Sequence, residues 1–356
     1  RLIVWGTLGL QDRRVALEVY GEGQLDIIQG FLPDVRGSGY AELNATIRGP
    51  LDEPIFLGNL SITNGRIRHL AMPHSFDAIN GTIYVDARGI HLDDVTATVA
   101  DGRVQLGGRI GFDGFVPYDL NVTAHAEDMR LRIPEGVRST VDADLTLGGT
   151  MASPALGGLV TVKDAVWTRR LDAPGSILDL ARLRSSNEEA AGPVGAPPAL
   201  PLKLDVRILA PSTLQVDTNL VRLWADADLA LSGTYDQPTL AGHANIERGE
   251  VNFEGRRYRV VRGSIDLADS TRSEPFFDVE VETSVRVPPQ SGQLSQTYRI
   301  TVGVVGTRAQ FRPTVNSDPP LPTADALALL FGGERRVQDR TQDVELRALQ
   351  NPNQSQ

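Results

Sequence analysis

Apolar and polar residues alternate along much of the chain. Between Ala225 and Ser232 the residues Ala225, Ala227, Leu229 and Leu231 share one side of an extended backbone, and Asp226, Asp228 and Ser232 share the other. Period two is the pattern of a strand with one apolar and one wet face. Leu43, Ala45 and Ile47 repeat it, as do Ala143, Leu145 and Leu147, then Val95, Ala97 and Val99, and later FDVEVETSVRV over 277–287. Helical spacing is rare. Leu25, Ile28 and Phe31 predict a short helical turn before Pro33, and LDLARL predicts another at 178–183. Near the end, TADALALLFGG predicts a helix with Thr323 as N-cap and Gly332 as C-cap, its Leu327, Leu330 and Phe331 on one face.

The alternating stretches recur as a longer unit. Gly49, Pro54, Gly58 and Gly65 have the spacing of Gly233, Pro238, Gly242 and Gly249. Gly149, Pro154 and Gly158 repeat it, with Ala165 at the place of the last glycine. Ile67, Trp167 and Val251 occupy one shared position, and GTIYVD, GSILDL and GSIDLA close the three copies. Repetition of a strand-and-turn unit predicts an architecture that grows by stacking. Gly233, the turn at Asp236–Pro238 and Gly242 are expected to end one strand, with a new one from His243. Arg248–Gly249 is then expected to turn the chain before a strand at Val251–Phe253, and 202–209 and 213–216 read as separate strands. The fold class is all-β: an elongated antiparallel repeat sheet with a few short helices, which the resemblance given below implies is curled into a groove. About twenty strands at ~4.8 Å spacing make a rod approaching ~100 Å.

The expected order is a β lead-in over 1–40, two repeat copies over 41–184, and a Pro/Gly/Ala linker over 185–201. A third copy with further strands fills 202–316, and the helix and a polar tail fill 317–356. The linker, SSNEEAAGPVGAPPALP, has too few large apolar groups to offset the entropy of ordering.

Composition narrows the function. Hydrophobic residues make up 41% and charged residues 22% of the 356, which suits a folded domain rather than a disordered one. The net charge of −10 argues against a nucleic-acid groove. Cysteine is absent, which excludes disulfides and thiolate chemistry. No apolar run reaches the ~20 residues of a membrane span, and the chain opens inside a strand-like stretch, so any membrane anchor or export signal is expected before Arg1. The histidines (His69, His74, His91, His125 and His243) are scattered without metal-ligand spacing, and no phosphate loop or nucleophile elbow is present. The expectation is a non-enzyme with no catalytic residue, metal or cofactor.

What remains is the apolar face itself. Its candidate lining is Leu43, Ile47, Leu60, Ile62, Ile67, Leu145, Leu147, Val160, Val162, Trp167, Leu229, Leu231, Ile246, Val251 and Phe253. Glu42, Arg48, Asp142, Asp144, Asp226 and Glu280 fall on the opposite, solvated face. Periodicity alone leaves two arrangements open, a closed core filled by its own side chains and an open trough for acyl chains.

The repeated G-x4-P-x3-G turns, together with LPTADALALLFGG at 321–333, resemble the C-terminal domain of the TamB (translocation and assembly module) family, within the AsmA-like and bridge-like lipid-transfer proteins. Asp325, Ala326, Leu327, Leu329, Leu330, Phe331 and Gly332 match its "DALxxLLFG" segment. The resemblance implies a periplasmic groove, anchored in the inner membrane of a Gram-negative bacterium, that carries phospholipid by its acyl chains towards the outer membrane. It also implies an outer-membrane Omp85-type (TamA-like) barrel as partner. The family pattern continues with further strands after this segment. The alternative reading is an assembly factor for outer-membrane β-barrel proteins or autotransporters.

Overall fold

The computed structural model describes residues 1–30, 34–52, 54–69, 74–113, 116–132, 136–168, 202–253, 255–267, 274–287, 295–307 and 310–331. The linker at 185–201, the helix expected at 178–183, Gly332 and the polar tail lie outside these residues. In chain order the strands are β1 (Leu2–Gly9), β2 (Arg14–Gln24), β3 (Val35–Pro50), β4 (Ile55–His69), β5 (Phe76–Asp86), β6 (Gly89–Val99), β7 (Gly102–Asp113), β8 (Val116–Leu131) and β9 (Val137–Thr150). They continue as β10 (Ser153–Trp167), β11 (Lys203–Asp217), β12 (Val221–Thr234), β13 (Pro238–Phe253), β14 (Arg256–Leu267), β15 (Phe276–Val287), β16 (Gln296–Thr307) and β17 (Phe311–Asp318). A 3-10 turn at Leu25–Gly30 and one α-helix, α1 (Thr323–Phe331), complete the described elements.

The fold is all-β, and the strands belong to one hydrogen-bonded sheet. From β1 to β10 each strand pairs antiparallel with its neighbour in sequence. β14 to β17 do the same. Contacts divide the chain into two compact units. The first comprises 1–169, 176–215 and 226–242; the second comprises 170–175, 216–225 and 243–356.

The strands are longer and fewer than the local signals predict. β13 runs unbroken from Pro238 through Gly242 and Arg248–Gly249 to Phe253, and β11 runs unbroken from Lys203 to Asp217. The turn before Pro238 does separate β12 from β13, but the breaks expected at Gly242, at Arg248–Gly249 and between 209 and 213 are irregularities inside a strand. Glycine lets the backbone bend without ending the ladder: Gly158 (φ +135°) and Gly242 (φ +130°) sit where a Cβ would lie 2.1 and 2.3 Å from the carbonyl oxygens of Asp144 and Asp228. Among the described residues seventeen strands stand against about twenty expected from the repeat pattern.

In the first unit most strands carry a β-bulge, and the bulges follow one another across the sheet. Registers shift between Ser38 and Tyr40, Ile62 and Gly65, Asp77 and Asn80, Leu92 and Val95, Ala126 and Met129, and Val162 and Asp164. Asn64, Ala78, Asp94 and Asp128 adopt left-handed φ values of 48°, 49°, 48° and 57°. Asn and Asp enter that region at lower cost than other non-glycine residues. Each bulge bends its strand and raises its twist, so together they crease the sheet; the crease steps along β7, which carries none of them, from Gly107 opposite the β6 bulge to Gly102 opposite the β8 bulge.

Candidate functional site, an apolar trough

Strand register turns the alternation of single strands into continuous rows. One row pairs Gly21 with Leu43, then Leu60, Ile83, Leu92, Gly108, Val122, Leu147 and Leu156, from β2 to β10. The next runs from Val4 through Val19, Ala45, Gly58, Val85, Ile90, Ile110, Leu120 and Gly149 to Pro154. Neither row contains a polar side chain.

Burial along these strands is densest beside the crease, although Leu120, farther out, is buried too. The row beside the bulges, Ala97, Val104, Ala126 and Ala143, is buried, at 4%, 4%, 4% and 2% exposure. Val95, Val141, Val162, Ile62 and Ile79 are buried close by. Ile62, Ile79, Val95 and Ala97 form one cluster with Leu25, and Val104, Ala126 and Ala143 form another. Farther along the strands Leu43, Leu60, Ile83, Leu92, Val122, Leu147 and Leu156 are only half-buried. Small residues at the crease let the bent strands approach, and the larger aliphatics form walls that their own neighbours do not fully cover. The first unit is thus a trough with a packed floor and partly open apolar walls.

The residues chosen from sequence fall on this surface in two classes. Leu43, Ile47, Leu60, Leu145, Leu147 and Val160 are half-buried wall positions, and Leu229 and Leu231 are half-buried on β12. Ile62 and Val162 are buried at the crease and belong to the floor. Ile67 and Trp167 lie beyond the crease on β4 and β10, both half-buried, and Ile67 packs against the cluster around Ile79. Ile246, Val251 and Phe253 lie in the second unit, where Val251 and Phe253 pack against Tyr258, Val285 and Ile300. Sequence reading missed Ile83, Leu92, Val122 and Leu156. Ile83 lies in GTIYVD, which closes the first copy, and Leu156 lies in the second, between Pro154 and Gly158; Leu92 and Val122 sit on strands without the glycine–proline turn.

The opposite face is a lattice of paired charges. Lys163 Nζ bridges Asp128 and Asp142 at 2.8 and 2.9 Å. The hydrogen bond from Lys163 is the main cause holding the Asp142 carboxyl below its ordinary value. His125 Nδ1 lies 2.5 Å from Asp144 Oδ1, and that hydrogen bond leads the causes raising the imidazole pKa. Arg207 clamps Asp228 through Nε and Nη2 at 2.9 and 2.6 Å, and Arg262 bonds Glu280 and Asp278 at 2.6 and 2.9 Å. Such exposed pairs add little stability each. Their sum is a hydrated back to the sheet. Among the described residues no cluster of His, Asp or Glu has the arrangement of a metal site.

In the second unit α1 covers part of the apolar face. Leu330 joins Tyr258, Val285 and Ile300 in one buried cluster, with Leu329 packed against it, and Ala326 is 1% exposed. Arg256 Nε donates to the Leu330 carbonyl at 3.1 Å, satisfying an orphan acceptor of the last helical turn. The face turned to the sheet is thus Ala326, Leu329 and Leu330, whereas Leu327 and Phe331 remain 37% and 59% exposed. The cap also differs from expectation. Ala326 N–H donates to Pro322 O at 3.0 Å, so Pro322 stands at the N-cap and Thr323 lies one residue inside.

The profile of the TamB C-terminal domain matches residues 93–354, well over half of the chain. The chain belongs to the TamB family. TamB proteins are envelope-associated and serve transport and assembly at the outer membrane. Partial similarity also links the chain to chaperone protein DnaJ of Neisseria meningitidis serogroup B and of Neisseria gonorrhoeae, each 32% identical over 145 residues. The match covers 39% of this chain, and the chain spans 39% of the length of those relatives. Among the described residues of this TamB chain no helix is long and apolar enough to cross a membrane.

Proposed function

We propose that this TamB segment is a periplasmic conduit for phospholipid moving between the inner and outer membranes, without catalysis or cofactor. One observation carries the reading: apolar rows that cross nine or ten adjacent strands with most of their large side chains half-buried, though Leu120 and Pro154 are buried. An acyl chain laid along such a wall is shielded at ~0.8 kcal/mol per methylene, and the paired charges of the opposite face keep the sheet hydrated. The rows offer no polar group to grip a headgroup, which suits passage of many lipids rather than selection of one. An inner-membrane anchor and an outer-membrane barrel of the TamA type are the partners this role requires.

The test is to purify the protein without detergent, extract it and identify bound lipid by mass spectrometry. Phospholipid of mixed headgroup is the expected result. A folded but lipid-free protein would overturn the conduit reading. It would favour assembly of barrel proteins through a strand edge. That alternative fits β17 less well, because Pro313 within this strand lacks an N–H to offer an incoming strand.

A further inference from the structure

We propose that α1 is a displaceable stopper, which competes with lipid acyl chains for the apolar face of the second unit. The proposal rests on the conduit reading and assigns a regulatory role to a segment that reading leaves idle. The face in question is built as in the first unit. Tyr298, Ile300 and Val302 pair with Val285, Thr283 and Val281 on two adjacent strands, an inward surface that is aliphatic or aromatic except at Thr283, whose hydroxyl donates to the Arg257 carbonyl. Here the row is closed where the helix meets it, while Tyr298, Val281 and Val302 stay half-buried. Ile300 is 0% exposed and Val285 7%, in one cluster with Leu330 of the helix. The chain's own leucine occupies the place that an acyl chain takes in an open wall.

Three features make that cover removable. The helix has nine residues, too short to be stable in water by itself, so it stays helical only while an apolar surface supports it. Its anchorage is small: two buried side chains, one edge-on ring contact between Phe253 and Phe331 at 6.2 Å, and the bond from Arg256. Its outer side is also apolar. In TADALALLF only Thr323 and Asp325 are polar, and Leu327 and Phe331 point to solvent. The helix gains nothing from water on that side, and once acyl chains take its place its nine residues lose the support that keeps them helical. Pro319, Pro320 and Pro322 form a stiff link to β17, with Leu321 N–H bonded to Ser317 Oγ at 2.7 Å. The helix therefore swings from a fixed point instead of drifting away.

The experiment uses the absence of cysteine in the chain. Arg256→Cys and Phe331→Cys are introduced together and joined by a short reducible thiol-to-thiol linker, which pins α1 to β14. Transfer of a fluorescent phospholipid between phosphatidylethanolamine–phosphatidylglycerol vesicles is then measured before and after reduction of the same sample. The expected result is at least fivefold slower transfer while the linker is intact, with recovery on reduction. In parallel, vesicles should speed amide exchange across 323–331 in the unmodified protein. Equal transfer rates with and without the linker, or α1 amides that gain protection from vesicles, would overturn the stopper while leaving the conduit intact. Absence of transfer by every form, the unmodified protein included, would overturn the conduit and the stopper with it.

Discussion

Leu147→Asp tests the trough at its wall. Leu147 lies between Val122 and Leu156 in the apolar row and is half-buried, so an aspartate there keeps contact with water and the strand can still form. The cost to folding should stay near ~1 kcal/mol, as for a change at a partly exposed position. The cost to an acyl chain is larger. A hydrated carboxylate denies shelter to the two or three methylenes that cross it, at ~0.8 kcal/mol each, or ~2 kcal/mol together. That corresponds to a roughly thirtyfold loss of occupancy at this point of the path. Vesicle-to-vesicle transfer of fluorescent phospholipid is the assay, with thermal unfolding measured on the same preparation. Leu60→Asp, on another strand of the row, should act alike, and Thr146→Asp, exposed on the neighbouring outward position, should do nothing. Wild-type transfer by folded Leu147→Asp and Leu60→Asp proteins would refute the reasoning, since lipid would then bypass the row.

Two further outcomes follow from the geometry. Gly158→Ala places a methyl carbon 2.1 Å from the Asp144 carbonyl oxygen at φ +135°, so it should destabilise the protein by at least ~2 kcal/mol, read as a lower urea midpoint. The raised pKa of His125, caused first by its bond to Asp144, makes a contribution to stability that is present below the ordinary imidazole value and lost as pH climbs through the raised one. Asp144→Asn should bring the imidazole back towards its ordinary titration, followed by NMR; an unchanged His125 titration would exclude Asp144 as the cause.

Much of the fold can be read from the sequence because its rules are local. Alternation at Ala225–Leu231 or Ala143–Leu147 needs only neighbouring residues to declare a strand and its wet and dry sides. The errors came where a local signal has two outcomes. Arg248–Gly249 and Gly242 look like turn residues, yet β13 passes through both, because bulges and turns draw on the same residues and only the partner strand distinguishes them. The split between floor and wall was illegible for a related reason. Ile62 and Leu60 stand two apart on one face, but the crease buries the first and leaves the second half-open. Their difference depends on curvature summed over many strands. The docking of α1 is non-local as well: its residues announce a helix, while its target, Ile300 with Val285, is set by packing alone.

The file of bulges separates two properties that most binding proteins must alter together. Curvature is carried by backbone register at positions such as Asn64, Ala78, Asp94 and Asp128, and the lining by side chains on the rows between them. Substitution on a row changes what the walls favour without changing the bore. An inserted or deleted bulge changes the bore and leaves the lining as it was. Calibre and chemistry can therefore drift independently, so under the proposed function such a trough can adapt to lipids of different bulk without rebuilding its walls.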